Sequence, residues 1–304
     1  MKISKPITVA GFYLQNNGIW QSARLSTDGV CVGEIDSSSQ GNDPTKAYAD
    51  LTGVESAEGN DLPLELISKL SKGTVVSDFR SSDIAMGGQG APLHPFYLHA
   101  LAKTFSNRPL AFLVLEDVVT LVWTDPRVAD PTDPNAITCF ETGPCLGPLR
   151  EIQQPSECGD VVDGALELFL DDPFFRRLPP KRVERSSFSH LLELVCELNQ
   201  ADAQATLTGM SATSVLLALE HLPEMPEKFI AVGEGSSNPI LQRLLQAALD
   251  VPVELLDPES NGKTIHAQAI AFLAARVARG LPTTAPHTTG VAVTVGGGNL
   301  TEFT

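Results

Sequence analysis

The chain is short of the residues that most readily betray a function. Five of its 304 residues are cysteine: Cys31, Cys139, Cys145, Cys158 and Cys196. The number is odd, no two form a C-x-x-C pair, and Cys139 and Cys145 bracket a Gly-Pro turn at a spacing foreign to zinc sites. A disulfide framework is excluded and reduced thiols in a cytoplasmic protein are expected. Positive charge is also scarce, with 21 Lys and Arg against 37 Asp and Glu, a net charge of −16. That balance excludes nucleic acid or an anionic membrane as a partner, although it leaves room for a local basic site that meets a phosphate. No run approaches the roughly 18 apolar residues of a membrane helix. Met1 to Ala10 lacks the apolar segment of an export signal, so a soluble chain is expected. The six histidines are scattered. Neither H-x-x-x-H nor H-E-x-x-H occurs, His94 and His99 are spaced wrongly for a metal pair, and G-x-S-x-G is missing. No metal site is expected, and Ser/His/Asp hydrolysis has no support.

What is present is a chain long enough for one large domain or two lobes, with one chemically dense stretch. Ser77-Asp78-Phe79-Arg80-Ser81-Ser82-Asp83-Ile84-Ala85-Met86-Gly87-Gly88-Gln89-Gly90-Ala91-Pro92-Leu93 follows the strand-like Thr74-Val75-Val76. Its glycines permit positive φ and close backbone approach, and successive N–H groups in such a loop can cup an anion. Phe96 to Leu101 then reads as a helix. Arg80 between two aspartates is either an ion-pair triad that pins the loop or part of a ligand site.

Along the rest of the chain, Ile7 to Phe12 and Trp20 to Leu25 alternate as strands around Gln15-Asn16-Asn17-Gly18, a hairpin signal. Val30 to Ile35 is a third strand and Asp36 to Gly41 a Ser-rich surface loop. Residues 43–72 hold two short helical patterns, the clearer from Leu62 to Leu70. Leu110 to Trp123 is apolar apart from Glu116-Asp117 and reads as a buried hairpin. Asp125 to Asn135 is a surface loop rich in Asp and Pro. Ile137 to Phe140 is a strand that stops at Glu141-Thr142-Gly143-Pro144. Helices are expected at 163–171, at Phe188–Leu198 with Ser186 or Ser187 as cap, at Asp202–Leu219, at Pro239–Leu249 and at Ile265–Ala278. Strands are expected at Phe229–Val232, Val251–Leu255 and Val291–Val295. The later strand–helix alternation indicates α/β architecture. No repeat of fixed period is visible.

The stretch from Asp78 to Leu93 resembles the D-F-R-x-x-D-x-A-x-G-G-Q-G-A-P-L signature of the anhydro-N-acetylmuramic acid kinases, without gaps. Further similarities follow in the family's order: Glu141-Thr142-Gly143-Pro144, Asp172-Pro173-Phe174-Phe175 with Pro179-Pro180-Lys181, Gly233-Glu234-Gly235-Ser236-Ser237-Asn238-Pro239, and the helix from His266. They span about residues 64 to 290 of the sequence. The resemblance implies a two-lobed α/β fold of the actin-like, Hsp70-like sugar-kinase type (ribonuclease H-like). It suggests a shortened N-terminal lobe over 1–109 and an α/β lobe over 110–304. It implies ATP and Mg²⁺ as cofactors, a small amino sugar as substrate and a homodimer as the assembly to test.

The resemblance also assigns roles. Glu141 stands where the family has the aspartate that activates water for attack on the anomeric carbon, and is otherwise a strand-end carboxylate at a turn. Asp78, Arg80, Asp83, Gly87, Gly88, Gln89, Thr142 and Gly143 are the substrate-binding candidates. Gly233, Gly235 and Asn238 are the nucleotide candidates, or simply a strand–helix turn. Lys181 either meets an anion or is solvated, and Gln268 replaces a common glutamate. The chain departs from the family in four places. Gly11 to Gly18 lacks the hydroxyl-rich first phosphate turn. The family's longer segment with a Gly-Gln-Thr element is missing. Glu116-Asp117 replaces a glycine pair in a second phosphate loop, and Cys145-Leu146 replaces Gly-Asn. Two functions stand open: an ATP-dependent kinase that opens a 1,6-anhydro-muramic sugar in cell-wall recycling, and a relative that binds the sugar without efficient transfer. Restoring the family's acid by Glu141→Asp is expected to raise any activity.

Overall fold

A computed structural model describes residues 5–15, 20–38, 51–56, 74–152, 159–183, 188, 190–256 and 264–302. In chain order the strands are β1 (Ile7–Leu14), β2 (Trp20–Thr27), β3 (Val32–Ser38), β4 (Leu51–Ser56), β5 (Thr74–Ser77), β6 (Leu110–Leu115), β7 (Val118–Thr124), β8 (Ile137–Pro144), β9 (Phe229–Val232), β10 (Val253–Leu255) and β11 (Asn299–Glu302). The helices are α1 (Ser81–Ala85), α2 (Pro95–Phe105), α3 (Leu146–Arg150), α4 (Asp163–Leu170), α5 (Leu191–Val195), α6 (Gln200–Ala218), α7 (Pro239–Ala248), α8 (Ile265–Ala278) and α9 (Pro286–Thr289).

The chain forms two compact units. The first takes residues 1–107, 124–137 and 263–304, and the second takes 108–123 and 138–262. The single boundary expected after residue 109 does not include these later returns.

In the first unit the sheet runs β11-β5-β4-β1-β2-β3. β1 pairs antiparallel with β2 from Ile7↔Thr27 to Leu14↔Trp20, and β2 pairs antiparallel with β3. The hairpin is therefore as expected, while its Asn16–Gly18 turn lies outside the described residues. β4 adds to β1 and β5 to β4 in parallel, and β11 closes the edge antiparallel to β5. All six residues of β4 are buried. A strand flanked on both sides carries no clean alternation, which is why the sequence reads as helical there. Leu62–Leu70 lies outside the described residues. β3 continues through Ser38, into the stretch expected to be a loop.

α8 seals this sheet, and glycine makes that possible. Gly11 and Gly53 are register partners on β1 and β4. A Cβ on Gly11 would stand 1.9 Å from the Ala267 carbonyl oxygen, and one on Gly53 would stand 2.6 Å from that of Ile270. The helix answers with Ala267, Ala271 and Ala274, all fully buried. Gly11, at the place where the family has its first phosphate turn, is thus a packing residue in mid-strand.

In the second unit the sheet runs β10-β9-β6-β7-β8, with β6 parallel to β9 and β9 parallel to β10. Counted from its own first strand, this is the order of the first unit over again: a run of three neighbours, then two parallel strands added on the far side of the first. The hairpin at Glu116-Asp117 is as expected. Ala111, Leu113 and Leu115 of β6 pack with Leu121, Phe229 and Leu245 in the core. α6 begins at Asn199, whose side chain accepts the Asp202 amide at 3.0 Å, a standard N-cap. A second cluster joins Phe169, Phe174, Phe175 and Phe188.

Two further expectations fail. The helix near Phe188 is only Leu191–Val195, entered through His190, and Ser186 and Ser187 lie outside the described residues. Val291–Val295 is not a strand: Val295 makes one bridge to Thr284, and the late strand is β11.

Candidate functional site

The signature stretch lies in the first unit, at the end of β5. It contains a one-turn helix, α1, where the composition predicts only loop. Asp78 enters it with φ of +56°, a conformation that Asp tolerates better than most residues. Its Oδ1 accepts the Ser81 amide at 3.1 Å and its Oδ2 accepts from Asn299 Nδ2 at 3.1 Å. Asp83 is buried. Its carboxylate accepts the Gly90 amide at 2.8 Å and the Thr289 hydroxyl at 2.6 Å, and its carbonyl accepts the Gly88 amide at 2.9 Å. A Cβ on Gly88 would meet Asp83 Oδ1 at 2.0 Å, so the loop closes over this carboxylate only because glycine is there.

Arg80 is half-buried, and its ion-pair partner is Glu55, at 4.0 Å. It also donates to the carbonyls of Gly90 at 3.2 Å and Ser56 at 3.3 Å. The expected triad with Asp78 and Asp83 is therefore replaced by an arginine pinned to β4. Glu55 is itself buried and accepts the amides of Ser56 and Phe79, each at 3.0 Å. Burial pushes its carboxyl above the usual range, while Arg80 and the two amides pull it back.

Below the loop His94 is buried and meets His266 edge-on with ring centroids 5.8 Å apart, and His266 stacks on Tyr13 at 4.6 Å between centroids. Burial, then the charges of His266 and Arg80, hold His94 well below the usual histidine range, so it is neutral. Gln268 accepts from the Tyr97 hydroxyl at 2.5 Å and donates to Thr264 at 2.8 Å. It completes a buried polar chain. The loop is thus braced from within, and Gly87 and Gln89 stay exposed at its tip.

Glu141, Thr142 and Gly143 lie on β8 in the second unit, where the strand continues through the motif instead of stopping before it. The Glu141 amide donates to the Lys181 carbonyl at 2.9 Å. Its carboxylate accepts the Val183 amide at 2.5 Å and Arg182 Nε at 3.2 Å. Lys181 is buried, contrary to the solvated reading. Its ammonium lies 4.9 Å from the Phe174 ring centre and 3.5 Å from His221 Nε2, and burial lowers its pKa. Caged this way, Lys181 fixes the segment that lays Arg182 on Glu141. The Thr142 hydroxyl meets Ser214 at 3.2 Å, and a Cβ on Gly143 would come within 2.6 Å of Ser214 Cβ, so both hold α6 close to β8.

Gly233, Gly235 and Asn238 follow β9. Gly233 has φ of +89°, which favours glycine. Asn238 caps α7 by accepting the amides of Ile240 at 3.0 Å and Leu241 at 3.2 Å. The Glu116-Asp117 turn abuts this segment. Glu116 Oε1 faces the Glu234 amide at 3.4 Å. The carbonyls of Glu116 and Asp117 accept the amides of Leu146 and Cys145, each at 2.9 Å. Arg150 joins Asp117 at 2.6 Å and Glu234 at 2.7 Å. The amides that could cradle a triphosphate are thus turned onto the protein's own oxygens, and three carboxylates surround the place. These residues do not fit ATP phosphates as arranged. Among the described residues no group of three His, Cys, Asp or Glu is set to hold a metal ion.

Glu55, Thr289, Arg150 and Arg182 escaped the sequence reading. Glu55 has a faint signal, a lone charge in an otherwise uncharged run. Thr289 has none, since its partner Asp83 is far away in sequence.

Two sheets of the same order, each a three-strand run extended by two parallel strands, place the chain among α/β proteins of the actin-like, sugar-kinase type. The family model for anhydro-N-acetylmuramic acid kinase matches residues 62–145 and 150–301. An anhydro-N-acetylmuramic acid kinase of Ruegeria sp. (strain TM1040) is 46% identical over 241 residues, which cover 75% of this chain and 64% of that protein. One of Roseobacter denitrificans is 42% identical over 240 residues, covering 74% and 64%. The chain thus spans somewhat less than two thirds of the length of these relatives. A solved ROK family glucokinase from Streptomyces griseus, in complex with glucose and AMPPNP, gives a TM-score of 0.41 at 10% identity, covering 88% of this chain and 99% of that one. The chain belongs to the anhydro-N-acetylmuramic acid kinase family.

Proposed function

We propose that the protein acts on a 1,6-anhydro-muramic sugar, phosphorylating it at the expense of ATP while water opens the anhydro bridge, in peptidoglycan recycling in the cytoplasm. The observation that carries this reading is the ungapped signature from Asp78 to Leu93, folded into a braced loop inside the matched span. Asp78, Arg80 and Asp83 act by holding the loop, and Gly87, Gly88 and Gln89 present its tip to the sugar. Glu141 is the base. Its two oxygens offer about four acceptor sites, of which Val183 and Arg182 take two, and its side chain keeps 11% exposure. A carboxylate so held can take a proton from water placed within about 3 Å of a free lone pair.

A second reading is favoured by one observation. The carboxylates of Glu116, Asp117 and Glu234 around Arg150 suit a protein that binds the sugar and transfers phosphate poorly. Calorimetry with the anhydro-sugar, together with a coupled ADP-release assay at millimolar ATP, separates the two. Sugar binding with turnover supports the kinase and sugar binding alone supports the second reading. No binding of the sugar sinks both.

A further inference from the structure

The turn after β6 and the turn after β9 lie side by side. β6 and β9 are parallel neighbours, so both turns leave the carboxyl ends of their strands, the side on which open α/β sheets take ligands. The approach there is very close. A Cβ on Gly233 would come to 2.8 Å from both the Leu115 carbonyl oxygen and Glu116 Oε1. Two donors of this corner that could meet an anion, the Arg150 guanidinium and the Glu234 amide, both face carboxylates of the same chain. Arg150 gives Nη1 to Asp117 and Nη2 to Glu234, and the Glu234 amide faces Glu116. The side chains of Arg150, Asp117 and Glu234 are 45%, 46% and 44% exposed, so a solute can reach them.

We infer that this corner is an anion site closed by its own carboxylates, with Arg150 as its cation and a phosphate chain as the ligand class that fits once Asp117 and Glu234 let go. The inference rests on the nucleotide-using reading and extends it. The misfit to ATP then has a specific form: phosphate must compete for Arg150 with two carboxylates already seated on it. Exposed ion pairs of this kind are individually weak and salt-screened. The latch is therefore releasable, and its removal leaves the fold intact. The Cys145 and Leu146 amides, held on Asp117 and Glu116 carbonyls, take no part.

The test is calorimetry with inorganic pyrophosphate and with Mg²⁺ plus a non-hydrolysable ATP analogue, at one low ionic strength. The proteins are wild type, Asp117→Asn/Glu234→Gln, and the same pair with Arg150→Met. Thermal melts check that all three fold. Wild type is expected not to saturate below millimolar ligand. The Asn/Gln pair is expected to bind about tenfold tighter or better, as removing two charges beside a phosphate requires. Adding Arg150→Met is expected to abolish the gain. Micromolar binding by wild type, no gain in the pair, or a gain that survives loss of Arg150 would each overturn the inference. Wild-type turnover without a gain in the pair leaves the kinase reading standing and this inference fallen. A gain without turnover in any variant does the reverse.

Discussion

Glu141→Asp is the change on which sequence and structure disagree in sign. Similarity to the family makes the shorter acid a restoration. The structure makes it a loss. The Glu141 carboxylate sits 2.5 Å from the Val183 amide and 3.2 Å from Arg182 Nε, on a strand whose own amide is tied to Lys181. Removing one methylene draws the carboxylate back by about one C–C bond, ~1.5 Å. The Val183 contact then opens to ~4 Å, beyond hydrogen-bond range. A hydrogen bond to a charged group contributes ~1.5–3 kcal/mol. Arg182 is 40% exposed and recovers water as a partner, so the expected net destabilisation is ~2 kcal/mol. A base displaced by more than 1 Å loses on the order of 10²-fold in rate. The assay is coupled ADP release with saturating sugar and ATP, together with urea unfolding. The expected order of rates is wild type, then Glu141→Asp, then Glu141→Gln. Arg182→Met should lower kcat with little change in KM, and Arg182→Lys should recover part of it. A Glu141→Asp enzyme as fast as wild type, unfolding at the same urea concentration, would refute the clasp and restore the family's aspartate as the better base.

Asp83→Ala leaves the Gly90 amide and the Thr289 hydroxyl without their buried acceptor, so a loss of ~2–4 kcal/mol is expected, with faster hydrogen exchange in residues 83–90. The exposed Glu197→Ala is the control, and equal melting of the two variants counts against the braced loop. Gly11→Ala places a Cβ within 1.9 Å of a helix carbonyl and should cost ~3 kcal/mol or more, read by denaturant titration; a cost under ~1 kcal/mol would mean that α8 is free to shift. His99 is held at about 4 by burial, against an unfolded value of ~6.5. The unfolded chain therefore binds the extra proton, and stability from this group falls as pH drops from about 6.5 towards 4, by up to ~1.4 kcal/mol per unit. An imidazole resonance for His99 titrating near 6.5 in the folded protein would contradict this.

Legibility followed how locally each element is determined. The Glu116-Asp117 hairpin, β9 and α8 were readable because apolar run, breaker and cap lie within a few residues of one another. β4 was not, because a strand buried on both faces and paired on both edges loses its period-2 signature. The loop from Asp78 was recognisable by composition, but its bracing was not, since Glu55, Thr289 and Asn299 reach it from distant segments. The repeated strand order left no repeat in the sequence: each sheet needs only buried residues at corresponding places, which Val, Leu, Ile, Phe or Ala satisfy. Lys181 was misjudged because a lysine's burial depends on aromatic neighbours, here Phe140 and Phe174, that sequence spacing does not reveal.

The placing of α8 and β11 bears on the order in which the chain can acquire its shape. β1, with the glycine that receives α8, is made before the helix that covers it and before the strand that pairs with β5, both of which come after residue 264. The second unit is closed in sequence between 108 and 262, and all its partners are in hand first. During translation the early sheet must wait, with an apolar face open, until the late segment arrives. A break in β11 near residue 300 would thus injure the unit that holds β1 and spare the one closed between 108 and 262.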